Sequence, residues 1–121
     1  MSQTTQQTGR YGEAIAQRHL QGEGYAIVET NWRCVYGEID IIAQDGEVYV
    51  FVEVRTRQGN RTAPAFESIT PNKRQKMIRA AYAYAETLAN DTLWRIDVIA
   101  VALPAHQAPV IAHMENALDW L

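Results

Sequence analysis

Two short segments hold the residues with the most chemical potential. Gly37-Glu38-Ile39-Asp40 sets two carboxylates two positions apart, and Phe51-Val52-Glu53-Val54-Arg55-Thr56 sets an acid and an arginine two positions apart inside an apolar run. Between them, Asp45-Gly46 signals a tight hairpin. If those two residues form the turn, Gln44 pairs with Glu47. The register then puts Ile42 opposite Tyr49, Asp40 opposite Phe51 and Glu38 opposite Glu53. Side chains alternate with period two, so Glu38, Asp40, Tyr49, Phe51, Glu53 and Arg55 share one face. Asp40 and Glu53 become diagonal neighbours, about 5–8 Å apart at the backbone.

That arrangement opposes stability. Val48, Val50, Val52 and Val54 take the other face, which must be packed, so Glu53 sits mid-strand in apolar surroundings with Glu38 across from it. Opposed like charges repel, and a buried unpaired carboxylate costs several kcal/mol or takes up a proton. A hard divalent cation relieves the conflict, because Mg²⁺ favours a few carboxylates together with carbonyls and waters. Neutralisation by Arg55 and Arg33 as a structural ion network and solvation of the face are the other solutions, and spacing alone does not choose among them.

The elements that position these residues follow from periodicity. Gly9 to Gly22 reads as a helix with Gly9, Gly12, Glu13, Ala16 and Leu20 on one narrow face. Strands are expected over Tyr25–Trp32, Gly37–Ala43 and Glu47–Thr56. A polar loop follows over 57–69. Thr70 caps a helix with Pro71 at its first position, running to about Asn90 and burying Ile78, Ala81, Tyr82, Ala85 and Leu88. Trp94–Leu103 is apolar almost throughout and reads as a strand buried on both faces, with an edge strand at Val110–Met114. The expected class is α/β, in the order α-β-β-β-α-β, with a mixed sheet flanked by helices.

At 121 residues the chain fits one domain, taken as residues 9–121 behind a flexible polar tail of residues 1–8. One cysteine, Cys34, excludes an internal disulfide framework and reads as a buried thiol, and no Cys or His cluster has zinc-ligand spacing. His19, His106 and His113 read as isolated, and Asp97 as a structural partner of Arg95. No apolar stretch suits a signal peptide or a membrane span, so a cytoplasmic location without membrane contact is expected. Net charge is −3, yet seven of the eleven Lys and Arg residues fall between Arg55 and Arg79 with one acid, Glu67, among them. A local basic patch can attract a polyanion even on an acidic protein, over about 8–10 Å, and a solvated loop and helix face is the equally weighted alternative.

The two acidic segments resemble the core of the PD-(D/E)XK nuclease superfamily, which includes restriction enzymes and archaeal Holliday-junction resolvases. The whole chain is similar to the YraN-like family of small bacterial proteins with that restriction-endonuclease-like fold. The likeness runs from Gly9-Arg-Tyr-Gly-Glu13 through Asn31-Trp-Arg33, the two acidic segments, Thr70-Pro71 and Arg95-Ile-Asp-Val98 to Glu115-Asn-Ala. It implies that Asp40 and Glu53 hold Mg²⁺ or Mn²⁺, with the Val54 backbone carbonyl completing the site. Glu13 matches an acid that resolvase-like members place near the metal, and Glu38 is a further acid of its segment. The residue before Asp40 is Ile39 instead of proline. Arg55 stands where the superfamily carries lysine; arginine keeps its charge and cannot act as a base, but it can stabilise charge developing on a phosphate.

The implied activity is metal-dependent hydrolysis of phosphodiester bonds in DNA or RNA, including branched or structured forms. Asp40, Glu53, Arg55 and Glu13 would be its catalytic set. Arg57, Arg61, Lys73, Arg74 and Lys76 would grip the backbone by charge and shape, helped by the helix N-terminus at Thr70-Pro71. Two alternatives compete. One is a nucleic-acid-binding module without turnover, which Arg55 favours. The other is a protein–protein adaptor using Trp32, Trp94 and Trp120. Monomer and homodimer both stay open.

Overall fold

In the computed structural model, residues 4–117 are described. They form α1 (Thr5–Gly22), β1 (Ala26–Cys34), β2 (Gly37–Asp45), β3 (Val48–Gln58), α2 (Ala63–Glu67), α3 (Pro71–Ala85), β4 (Trp94–Leu103) and β5 (Val110–Met114). One mixed sheet runs in the order β1-β2-β3-β4-β5. β3 and β4 are parallel and every other neighbour pair is antiparallel. The chain is α/β in the expected α-β-β-β-α-β order, with α2 and the edge strand β5 added.

Each sheet face is covered by a helix. On one side Ile15, Ala16 and Leu20 of α1 pack with Ile41, Val50, Val52, Val54, Ile99 and Val101. On the other, Met77, Ala80 and Ala81 of α3 pack with Ile42, Phe51, Ile96 and Val98. β4 contributes to both clusters and is buried along nearly its whole length, as its unbroken apolar run requires. No helix among the described residues is long and apolar enough to cross a membrane.

Several expectations are corrected. α1 begins at Thr5, ahead of the expected Gly9. The Thr4 hydroxyl accepts from the Gln7 backbone N–H while the Gln7 side chain accepts from the Thr4 N–H, a reciprocal cap that extends the helix past its apolar face. α3 stops at Ala85, where the Thr87 hydroxyl takes the Tyr84 carbonyl. Tyr82 is exposed and stands edge-on to Trp94. The 57–69 loop contains α2, one short turn with no readable period. Cys34 is half-buried, and Trp120 lies outside the described residues.

The hairpin register is also different. Asp45 pairs with Val48 and Gln44 with Tyr49, so Gly46 and Glu47 form the turn. Gly46 has φ +62° and Glu47 does not share a positive φ, the pattern of a type II′ turn with glycine first. The shift moves every partner by two residues and leaves the faces of β3 unchanged.

Candidate metal centre

The sheet opens where the acids lie. β2 pairs with β3 only from Asp45↔Val48 to Ile41↔Val52. Beyond that point β2 stays with β1 as far as Gly37, while β3 stays with β4 as far as Gln58. Carried one step further, the β2–β3 register sets Asp40 level with Glu53, at the mouth of this fork. β2 also breaks its alternation there: Ile39 packs on the α3 side and Ile41 on the α1 side. In β1, Asn31 takes φ +52° at the same level, a left-handed conformation that asparagine tolerates better than most residues.

Acids from three elements enter the fork. Glu13 of α1, Glu38 and Asp40 of β2 bring carboxylate oxygens that all lie within 4.8 Å of one another. The Asn31 side-chain amide donates to both Glu13 Oε2 at 3.1 Å and Glu38 Oε1 at 2.9 Å. The Val54 N–H, left without a β2 partner in the ladder, donates to Asp40 Oδ2 at 2.8 Å. Glu53 lies outside that tight group and turns toward Arg55, 3.5 Å from Nη1. Arg55 is held in turn by Ser68, whose Oγ accepts from Nε at 2.9 Å. Ser68 is fixed by its own bond to the Ala65 carbonyl at the end of α2.

Electrostatics follow from this crowding. Burial, then the neighbouring Glu53 charge, pushes Asp40 up to about 8, against the pull of the Val54 N–H. Burial likewise raises Glu53 to about 7, with Arg55 pulling the other way. Glu13 is raised by burial, eased by its bond from Asn31. An open cleft of about 430 Å³ exposes these groups, with Val54, Arg55, Lys73 and Lys76 also lining it. The carboxylate group is able to hold a metal ion: three hard oxygen donors converge, and among the described residues no Lys or Arg forms an ion pair with Asp40.

The residues expected from sequence distribute unevenly. Asp40, Glu53, Arg55, Glu13, Glu38 and Val54 all meet at the cleft. The tightest set is Glu13, Glu38 and Asp40, so the weight moves from the Asp40–Glu53 pair to acids that the spacing made secondary. Lys73 and Lys76 line the cleft from α3. Arg57 and Arg61 are exposed beyond it, and the half-buried Arg74 keeps an unpartnered Nε. Thr70 caps α3 through Lys73 N–H. Asn31 and Ser68, which hold the acids and the arginine, were not singled out by spacing; Asn31 entered only as part of the Asn31-Trp-Arg33 segment of the family likeness.

Comparison with known proteins fits the same stretch of chain. The model of a family described as "Uncharacterised protein family UPF0102" matches residues 12–101. A UPF0102 protein of Geotalea uraniireducens is 44% identical over 112 residues, covering 92% of this chain and 88% of that one. One from Streptomyces coelicolor is 43% identical over 108 residues, covering 87% and 83%. A third, from Roseiflexus castenholzii, is 42% identical over 114 residues and covers 92% of each. The chain belongs to the UPF0102 family. The region that the UPF0102 model matches begins at Gly12, whose closeness to β3 sets the position of Glu13. A Cβ on Gly12 would stand 1.8 Å from Thr56 Oγ1, so only glycine lets α1 approach the sheet this closely.

A second polar cluster lies outside the cleft. Asp97 is fully buried and accepts from Arg95 Nε at 3.0 Å, Arg95 Nη2 at 3.2 Å and the Asn116 N–H at 2.9 Å, with His113 Nε2 2.8 Å away. Asp97 is thus the partner of Arg95, as expected. His113 is not isolated: it bonds Asp97 and stands edge-on to His19. The His113 and Arg95 bonds hold the Asp97 carboxyl below the usual carboxylate range in spite of burial. These bonds tie β5 and the following turn to β4.

Proposed function

We propose that the cleft is a Mg²⁺- or Mn²⁺-dependent phosphodiesterase centre acting on DNA or RNA, on a restriction-endonuclease-like version of this α/β fold. The observation that carries the reading is the convergence of Glu13, Glu38 and Asp40, all half-buried, within 4.8 Å of one another at the mouth of the fork. A fold built for stability alone would not gather acids there. The donor set fits a hard divalent cation, since it offers carboxylate oxygens and no sulfur or imidazole. The resemblance to the PD-(D/E)XK superfamily supports Asp40 as a ligand; it also implies Glu53, on the adjacent strand, which here lies outside the tight acidic group.

The chain's own groups divide the work. Asp40, Glu38 and Glu13 hold the ion, and Asn31 keeps two of them in place. Such an ion, when bound, draws charge from the phosphate and makes water easier to deprotonate. Glu53 lies beside these ligands and holds its proton up to about neutrality, which suits it to take a proton near its working pH. Arg55, fixed by Ser68, offers a permanent charge to the phosphate. Lys73 and Lys76 flank the opening and attract the backbone.

Calorimetric titration of Mn²⁺ into wild type and Asp40→Ala tests the site, with binding expected in the first and not in the second. Absence of heat in the wild type removes the reading. Cleavage is assayed with Mg²⁺ or Mn²⁺ on duplex, single-stranded and branched DNA and RNA. Arg55 favours a second reading, a binding module without turnover, because its guanidinium is spent on Glu53 and Ser68 and cannot serve as a base. Binding without cleavage, weakening steeply with salt, selects that second reading. A gain of cleavage in Arg55→Lys would identify the arginine as what limits an otherwise complete centre.

A further inference from the structure

The turn joining β1 to β2 breaks two local rules at once. Cys34 pairs with Gly37, so Val35 and Tyr36 are the two loop residues, where hairpins favour Gly, Asn or Asp. Val35 is 92% exposed and Tyr36 49%. A β-branched side chain and an aromatic ring held in water at a turn tip do nothing for the core. Conflicts of this kind between local chemistry and fold concentrate at functional places.

The location gives the conflict meaning. Val35 and Tyr36 line a shallow cleft together with Arg33, Gly37, Glu38 and Lys76, and the last three of these also line the carboxylate cleft. A Cβ at Gly37 would stand 3.5 Å from Lys76 Cβ, so the tip rests against the basic side of α3. At about 3.3 Å per strand residue, Tyr36 lies about 7 Å from Glu38 along the chain. Arg33, with a side chain 78% exposed and its Nε 3.8 Å from Glu38, adds a further cation beside the tip. An apolar tip bracketed by cations suits a ligand with flat faces joined by anionic links better than it suits the continuous apolar surface of a protein partner.

We propose that the Val35–Tyr36 tip is a nucleobase-stacking element, serving a single-stranded segment of nucleic acid whose phosphates lie along Lys73 and Lys76. The inference rests on reading the neighbouring cleft as a nucleic-acid site and names the form of strand that the site takes. In an intact duplex the bases stack on one another, and Tyr36 has no free face to meet. An unpaired or splayed nucleotide beside the carboxylates supplies one. Stacking tolerates any base, so the tip selects strand form and not sequence.

The test measures binding of a 2-aminopurine-labelled single strand and of the duplex of the same sequence. It uses the Asp40→Asn chain, so that no strand is cut, and is repeated on the wild type with a chelator. The single strand is expected to bind more tightly than the duplex, with a change in 2-aminopurine emission. Tyr36→Ala should weaken single-strand binding by roughly 10- to 100-fold and leave duplex binding in place, while Tyr36→Phe retains affinity. Lys76→Ala should weaken both forms alike and lower the salt dependence. Equal single-strand affinity for Tyr36→Ala and its parent overturns the stacking role and leaves the cleft reading standing. Failure of both chains to bind either nucleic acid at low salt removes the cleft reading, and the tip proposal with it.

Discussion

Replacing Asp40 by asparagine should make the metal-free protein more stable, and increasingly so as pH rises. The native carboxyl goes from an ordinary 3.8 to about 8, so the folded state keeps a proton that the unfolded chain gives up. The sign follows from linkage: a raised native value contributes full stability below the unfolded value, and that stability drains away as pH climbs toward the native value. At about 1.4 kcal/mol per pH unit over roughly three units, the wild type is penalised by about 4 kcal/mol at pH 7 relative to a group that does not titrate. Asparagine has nearly the same shape, and its carbonyl oxygen can accept the Val54 N–H that Asp40 Oδ2 accepts now. Thermal melts in chelator at pH 5, 6, 7 and 8 measure the difference. A gap of a few degrees at pH 5 should widen to about 10–15 °C near neutrality. Saturating Mn²⁺ should then narrow the gap by stabilising the wild type alone, by about 3 kcal/mol at a hundredfold excess over the dissociation constant. A gap that stays constant across pH would mean that Asp40 is not forced to hold a proton, and the electrostatic account of the fork would be wrong.

Other substitutions probe the parts that hold the cleft together. Gly12→Ala places a Cβ against Thr56 Oγ1, and melts should show a loss of about 1–3 kcal/mol, with weaker Mn²⁺ binding because Glu13 moves with α1. Asn31→Gly keeps the positive φ and removes the amide shared by Glu13 and Glu38; calorimetry should show Mn²⁺ affinity reduced by about 10-fold or more with little change in melting temperature. Asp97→Asn takes from Arg95 its closest counter-ion, leaving Asp45 at 3.7 Å and Glu115 at 4.0 Å, and should cost about 2–3 kcal/mol in denaturant unfolding. Because the Asp97 carboxyl is held low, wild-type stability from this network is present above the ordinary carboxylate range and lost as pH falls through it, and the acid-side melting curve of Asp97→Asn should be flatter.

Much of the fold was legible because long apolar periods leave little choice. β4 and β5 begin and end at the expected residues, since an apolar run bounded by Pro104 and Pro109 admits few alternatives. The hairpin register was off by two because a turn pair containing glycine does not say whether the glycine comes first or second. The faces survived that error, since a shift of two preserves parity, and Asp40 and Glu53 were therefore placed together for an incomplete reason. Glu13 could not be brought in by spacing at all. It comes from a helix on the opposite side of the sheet from Met77 and Lys76, and strand alternation carries no information about a fork that opens both faces. α2 is one turn long, too short to show a period, and it is what anchors Arg55.

The fork explains why these acids sit where they do. Within a paired sheet, a carboxylate on either face meets packed side chains and has no route to water or to an ion. Where β2 leaves β3, backbone donors such as the Val54 N–H lose their ladder partners and need acceptors, and Asp40, which lines the cleft, supplies one. The same opening lets α1 reach in from one side and α3 from the other, so acids and lysines meet without crossing the core. Closing the fork by ordinary strand pairing would recover the Asp40 penalty and remove the cleft together with it. The instability of the site and its capacity to bind a cation are therefore the same structural fact, read without and with the ion.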